Sequence, residues 1–534
     1  MSNSPWAAAP RALDRLQSFA VGIRPNALRA STPLRAPVAA AMVIVGFVLL
    51  RLIAAHYIGL GTDESYSVAV ARDLRASYFD HPPMHYWIAH AVEPLLGVGR
   101  ASRIPFILLF ALTSWLMFSL TRRLFGEWAG FWAVLALNLS AFFTVAAGSW
   151  VLPDGPLICA LMAATTILAE SWFGEQPQPI RPLIAWIGAG LFIGLAGLSK
   201  YQAALYCVGL GLFLLTADRG RRQLLSPGPY LAAAIVLLVL SPVLTWNAAH
   251  GWASFAFQAG RGAPQKLNLA GPPSALMGQM GLLLPWIFIP MAAAGVSALR
   301  AGPLAERRWF CVILALPAIA VFTLAPLAGP VGLPHWSMAG WLFLFPLLGD
   351  FLARAAQTRT WPRRWAAGSA LFILIAGVLM VSDAATGWLG ADFPRLFRRG
   401  DPTAEMVDWT PLRTVVGGSA VLRRPGAFVA ALKWNEGGKV DQAVGDLAPV
   451  AVLSSDPRQF GYRLAPASLV GHDALIVGKL DTINNRLADL APYFRSLTPL
   501  APVTVGRGRG EITLGVVEAR GLLRPYGSAP PRLP

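Results

Sequence analysis

Charge is what this sequence most lacks. Asp, Glu, Lys and Arg together make up 13% of its 534 residues, against roughly 25% in a soluble domain. The shortage excludes an ordinary soluble enzyme, and it is concentrated rather than spread. Cysteine is nearly absent: Cys159, Cys207 and Cys311 are all there is. Each falls inside an apolar run, which excludes a disulfide framework and a thiolate metal site. There is no internal repeat, and no RNA- or DNA-binding motif accompanies the formal charge of +17. Residues 1–36 carry Arg11, Arg15, Arg24, Arg29 and Arg35, but no short apolar run with a small-residue cleavage site follows. A cleavable signal peptide is therefore not expected, and the first apolar run should stay as a signal anchor.

What is present is a series of long apolar stretches, 55% of the chain being hydrophobic. About 20 such residues cross a bilayer as a helix. Eleven spans are expected, at 37–59, 101–121, 128–147, 155–173, 183–199, 201–217, 230–247, 276–299, 309–328, 337–353 and 366–386. Arginine decides their orientation, because cytoplasmic links collect basic residues. With the N-terminus inside, the inner links hold Arg122, Arg123, Arg181, Arg219, Arg221, Arg222, Arg300, Arg307, Arg308, Arg354, Arg359, Arg363 and Arg364. The outer links hold far fewer. The fold class expected is mainly α, a polytopic transmembrane bundle of about eleven spans with a small α/β domain outside. Its parts are a cytoplasmic segment 1–36, a membrane domain 37–386 with outer loops 60–100 and 248–275, and a periplasmic domain 387–534 ending in a disordered tail from Arg524. Within the first loop, Glu64–Ala76 has the pattern of an amphipathic helix lying on the membrane surface. In the last domain, strands are expected at Ala427–Leu432, Val450–Leu453, Ala474–Val477, Pro502–Val505 and Ile512–Val517, and a helix at Thr482–Leu497.

On this topology the polar motifs fall on one side. Asp63, Glu64, Asp80, His81 and His85 lie in the first outer loop. Asp154 sits at the mouth of a span in SWVLPDGP, Lys200 in LSKYQ, His250 and Arg261 in WNAAHGWASFAFQAGR, and His335 in PHW. Ionisable groups at the edge of hydrocarbon are costly and usually functional. Carboxylates beside cations suit a reaction in which a hydroxyl loses its proton and an anionic leaving group is held. Asp80, His81, His85, Tyr201, Trp246, His250, Trp252, His335 and Trp336 are the candidate substrate-binding residues. The aromatic ones suit sugar rings, and suit an interfacial belt equally well. A divalent metal ion, if one is used, would fall to Asp80, His81 and His250.

These residues also carry a family resemblance. TDESYSVAVARDL followed by YFDHPPMHYWI, then RIPF, LPDGPL, GLSKYQA, PVLTWNAAHGWASFAFQ and PHW, in that order between Asp63 and Trp341, resemble the bacterial GT-C glycosyltransferases of the protein mannosyltransferase and aminoarabinose lipid A transferase type. The resemblance implies a GT-C fold, a sugar donor on a polyprenyl phosphate, and transfer with inversion. It implies Asp63 as the catalytic carboxylate and Lys200 as a phosphate contact; Glu64 beside Asp63, and Asp154 at a position where relatives keep an acid, are expected with it as catalytic residues. Relatives usually carry Arg where Tyr66 stands, so Tyr66 takes the place of a phosphate contact and Arg261 is expected to supply the charge. The expected partners are the polyprenyl-phosphate sugar, membrane lipids and an envelope acceptor such as lipid A, core oligosaccharide or a related glycolipid, with no nucleic acid. The alternatives are a protein O-glycosyltransferase, a transporter or flippase of lipid-linked sugars, and a non-catalytic scaffold.

Overall fold

The computed structural model describes residues 35–97, 99–174, 180–261, 266–330, 332–395, 397 and 401–526. The expected basic segment before residue 35 and the expected tail beyond 526 lie outside them. Seven helices are long and apolar enough to cross a membrane, and four bent pairs raise the count to eleven. The long ones are Ala36–Tyr57, Arg100–Phe125, Asp154–Phe173, Pro182–Ser199, Glu306–Leu327, Pro334–Thr358 and Trp361–Thr386. This is a multi-pass membrane protein. Asp154–Phe173 is buried along nearly its whole length and forms the bundle axis, whereas Trp361–Thr386 is almost bare along its sides and faces lipid.

Three expected spans are not continuous. The run 128–147 breaks between Glu127–Asn138 and Ala141–Ser149 with a bend of 78°, 230–247 bends by 48° at Leu240, and 276–299 turns by 113° at Leu284. Pro242 and Pro285 explain the last two. Each stands in the first turn of the following helix, where proline is tolerated but cannot continue the hydrogen bonding of the helix before it. Leu284 takes φ of 74° to make the turn. The buried Arg51 bridges the first break, donating to Asn138 Oδ1 at the end of one helix and to Thr144 O in the next, each at 3.0 Å.

The helix ends gather at two poles. At one, Arg123 pairs with Glu170, Arg219 with Glu306, and Arg307 donates to Leu124 O. The other pole carries the sheet region, and every motif singled out above lies there. Six strands, β1 (Phe428–Ala431), β2 (Val450–Val452), β3 (Ala474–Lys479), β4 (Phe494–Pro499), β5 (Val503–Arg507) and β6 (Gly510–Leu522), form one mixed sheet. Its order is β2-β1-β3-β6-β4, with β5 also on β6. β1 runs parallel to both neighbours, placing Val429 beside Val450 and Phe428 beside Ala474, and β6 is antiparallel to β3. Alternate residues of β1 enter different cores. Val429 and Ala431 face a core shared with Tyr66 and Val68 of the first loop, while Phe428 and Ala430 face a core closed by Ile483 and Leu490. The expected helix to Leu497 stops at Leu490. Pro492 follows within the last turn, and the chain leaves as β4.

The first-loop helix is Thr62–Ala71, and it does not lie on a membrane surface. Glu64 to Ala71 are all buried, covered by the helix Trp434–Val444. The two helices touch backbone to backbone at Gly438, where an added Cβ would overlap the N and Cα atoms of Tyr66. Gly438→Ala should therefore force the helices apart at a cost of about 1–3 kcal/mol. A fall in the thermal unfolding midpoint of the detergent-solubilised protein measures it, and an unchanged midpoint would show that the contact is slack.

Candidate active site

The helix Thr62–Ala71 starts with two acids that face different surroundings. Glu64 is 1% exposed, and its carboxylate is fully used. It accepts from Arg103 Nε at 2.7 Å and Nη2 at 2.5 Å, from Gly61 N at 2.9 Å and from Val151 N at 3.2 Å. Glu64, expected among the catalytic residues, thus has four protein donors on its two oxygens and none left open to a substrate. Asp63, one residue earlier, is the exposed member of the first turn. Among the described residues nothing donates to its carboxylate. Surrounding protein raises its pKa, and so do the nearby Glu405, Asp80 and Glu64, with Arg458 pulling the other way.

Asp80 is buried in the following turn. Its Oδ1 accepts from Tyr66 Oη at 3.1 Å and from Tyr86 Oη at 3.2 Å, and Arg458 Nη1 stands 3.8 Å from Oδ2. Burial lifts its pKa even though Arg458 and the tyrosine hydroxyls oppose the shift. Tyr66, expected as a phosphate contact, is committed elsewhere: its hydroxyl also accepts from Gln459 N at 3.0 Å.

Behind Asp80 lie the bases. His81 is held well below the ordinary histidine range by burial, then by His85, Lys200, Arg261 and Arg458. Those cations thus bear on one point. His85 is completely buried, 5.8 Å from the His81 ring centre, and pushed down to about 3 by burial. Neither of its ring nitrogens has a partner among the described residues. Lys200 is not free. Its ammonium grips both oxygens of Asp154, at 2.9 and 3.1 Å, with both side chains under 10% exposed. A double-mutant cycle, Asp154→Asn with Lys200→Met, should give a coupling of about 1–3 kcal/mol in unfolding measurements. Additive effects would mean that the pair is incidental.

The second long loop supplies the rest. Arg261, which follows the helix Ala253–Gly260, lies 4.6 Å from the Trp336 ring centre and 5.8 Å from that of Phe257. Trp246 stacks on His250 at 4.1 Å, and His250 Nδ1 sits 2.8 Å from Trp246 O. Tyr201 bonds Ser254 Oγ at 2.7 Å, His335 stacks on Phe142, and Trp252 is half exposed against Phe255. Among the described residues no three His, Cys, Asp or Glu side chains converge to hold a metal ion. Asp80, His81 and His250 do not form the divalent-metal set offered by the sequence, because aromatic stacking fixes His250 and tyrosines occupy Asp80.

The sequence reading missed the contribution of the sheet region. Phe79 N donates to Gln459 Oε1 at 2.8 Å, and Tyr462 stacks on Phe79 at 5.3 Å. Arg458, beside Gln459, reaches Asp80. The run SSDPRQFGYR carries no motif, so only its density of polar residues after a strand could have drawn attention to it.

The chain is similar to known proteins in sequence and in fold. Residues 80–246 match the family model of dolichyl-phosphate-mannose-protein mannosyltransferase. The undecaprenyl phosphate-alpha-4-amino-4-deoxy-L-arabinose arabinosyl transferase 1 of Proteus mirabilis is 24% identical over 47% of this chain and 46% of its own length. The lipopolysaccharide core galacturonosyltransferase RgtB of Rhizobium johnstonii is 25% identical over 63% of this chain and 67% of its own. The chain thus spans about half of the first relative and two thirds of the second. In three dimensions the crystal structure of ArnT from Cupriavidus metallidurans bound to undecaprenyl phosphate superposes with a TM-score of 0.60 at 17% identity, over 89% of this chain and 97% of that one. The fold is that of GT-C.

Proposed function

We propose that this chain, similar in sequence and in fold to the GT-C glycosyltransferases of the aminoarabinose-transferase type, transfers a sugar from a polyprenyl phosphate to a glycolipid acceptor of the bacterial envelope. The observation that carries this reading is the open carboxylate of Asp63 within the field of Arg458 and Arg261 at one pole of the bundle. The acceptor hydroxyl gives its proton to Asp63 while its oxygen bonds to the anomeric carbon from the face opposite the phosphate. The carbon–oxygen bond to phosphate breaks, the electron pair leaves with the phosphate, and the configuration inverts. Arg261, whose guanidinium meets no carboxylate among the described residues, holds the leaving phosphate. Lys200, charge-balanced and oriented by Asp154, keeps a third ammonium N–H for the phosphate. His81, kept neutral by its surroundings, offers a ring nitrogen to a sugar hydroxyl.

The arginine-rich inner links support a cytoplasmic N-terminus, which puts this pole and the sheet region in the periplasm. We place the reaction at the outer face of the inner membrane. The test is to incubate purified protein with undecaprenyl-phosphate-linked aminoarabinose and galacturonate and with lipid A or its core, and to compare envelope lipids by mass spectrometry with and without the gene. A mass gain of one sugar on the acceptor is the expected result. Movement of intact donor across vesicles without transfer would replace this reading with a flippase.

A further inference from the structure

Arg458 belongs to the segment between β2 and β3, yet it stands in the site. Its backbone has φ of 50°, a left-handed conformation that costs a non-glycine residue about 1–3 kcal/mol and persists where the surroundings impose it. The guanidinium lies 4.7 Å from the ring centre of Phe257 and 4.6 Å from that of Trp434. Phe257 also carries Arg261. Trp336, Arg261, Phe257, Arg458 and Trp434 are thus linked neighbour to neighbour, an aromatic group beside each cation. Two like charges on one ring repel each other, and Arg458 does lower the pKa of Arg261, after burial, which acts first. The rings accept no conventional hydrogen bond, so these contacts leave the guanidinium N–H groups to other acceptors. Of these donors, Arg458 Nε is held by Asp456 at 2.9 Å. Its Nη1 is 3.8 Å from Asp80, beyond hydrogen-bond distance.

We propose that Arg458 is a second arginine on the donor phosphate, sharing the Phe257 ring with Arg261, so that the sheet region supplies part of the transferase site. The phosphate oxygens accept in-plane hydrogen bonds from both forks, and the phosphate charge relieves the repulsion between them. This rests on the transferase reading. It also gives a reason for the close seating of Gln459 on Tyr66 and Phe79, which fixes the residue next to Arg458.

The test uses the full chain in nanodiscs with undecaprenyl phosphate as probe, binding being followed by tryptophan fluorescence or native mass spectrometry. Arg458→Gln should weaken binding about tenfold to a hundredfold, the size of one or two charge-assisted hydrogen bonds. Arg458→Lys, which keeps the charge and loses the fork, should weaken it severalfold. Thermal unfolding run alongside identifies a variant that has lost its fold, and Arg458→Lys then decides. Wild-type affinity in the folded variants overturns the proposal, as does wild-type protein that does not bind the probe. Inorganic phosphate should compete in the millimolar range in wild type and not in Arg458→Gln, and competition that ignores Arg458 also overturns it. Wild-type protein that binds undecaprenyl phosphate in an Arg458-dependent way but transfers no sugar overturns the transferase reading alone.

Discussion

Asp63→Asn should reduce sugar transfer by at least about a hundredfold while the protein inserts and unfolds like wild type. A positioned general base contributes about 10²–10⁴-fold, and asparagine keeps the shape of the side chain but cannot take a proton. Asp63 fits that role because its carboxylate is open and holds no partner among the described residues. Its surroundings raise its pKa through burial and the neighbouring Glu405, Asp80 and Glu64. The sign for pH follows. A base works ionised, so activity is present above the raised pKa and disappears as pH falls through it. The acid limb of kcat/KM should therefore lie above the ordinary aspartate range, and Asp63→Asn should remove that limb from whatever activity remains. Full turnover in Asp63→Asn would take this residue out of the mechanism.

The sequence showed the bundle and the pole where its polar groups meet, but not how they divide the work. Apolar length and arginine bias are properties of whole segments, and they survive the bends at Leu240 and Leu284 that no hydropathy window registers. Asp63 and Glu64 are neighbours in the chain, yet helical geometry turns one to solvent and the other into protein. Only the position of Arg103 tells them apart. Trp434–Val444 was invisible as a helix because Gly437 and Gly438 are poor helix formers, although Gly438 is what lets it lie against Tyr66. Arg458 escaped for a different reason. It reaches Asp80 across a separation in sequence that no local pattern spans.

The other large effect is structural and concerns Glu64. Arg103 is 2% exposed and holds three pieces of chain together. Besides Glu64 it donates to Ile58 O and Gly59 O, each at 2.8 Å. Glu64 in turn carries Gly61 N and Val151 N, joining the end of the first span, the first-loop helix and the turn before Asp154. Glu64→Gln leaves a guanidinium buried without its counter-charge, and breaking such a pair costs about 3–5 kcal/mol. The unfolding midpoint should fall sharply and the yield of folded protein with it, whereas Asp63→Asn leaves both unchanged. Replacing both partners with apolar residues of similar volume, Glu64→Leu with Arg103→Met, should not recover the stability lost by Glu64→Gln, because Ile58 O, Gly59 O, Gly61 N and Val151 N then lose their partners. Activity should not return in that double variant, since the first-loop helix no longer presents Asp63 at a fixed angle. If Glu64→Gln proves as stable as wild type and loses only turnover, then Glu64 belongs to the chemistry and the division of labour between the two acids is the reverse.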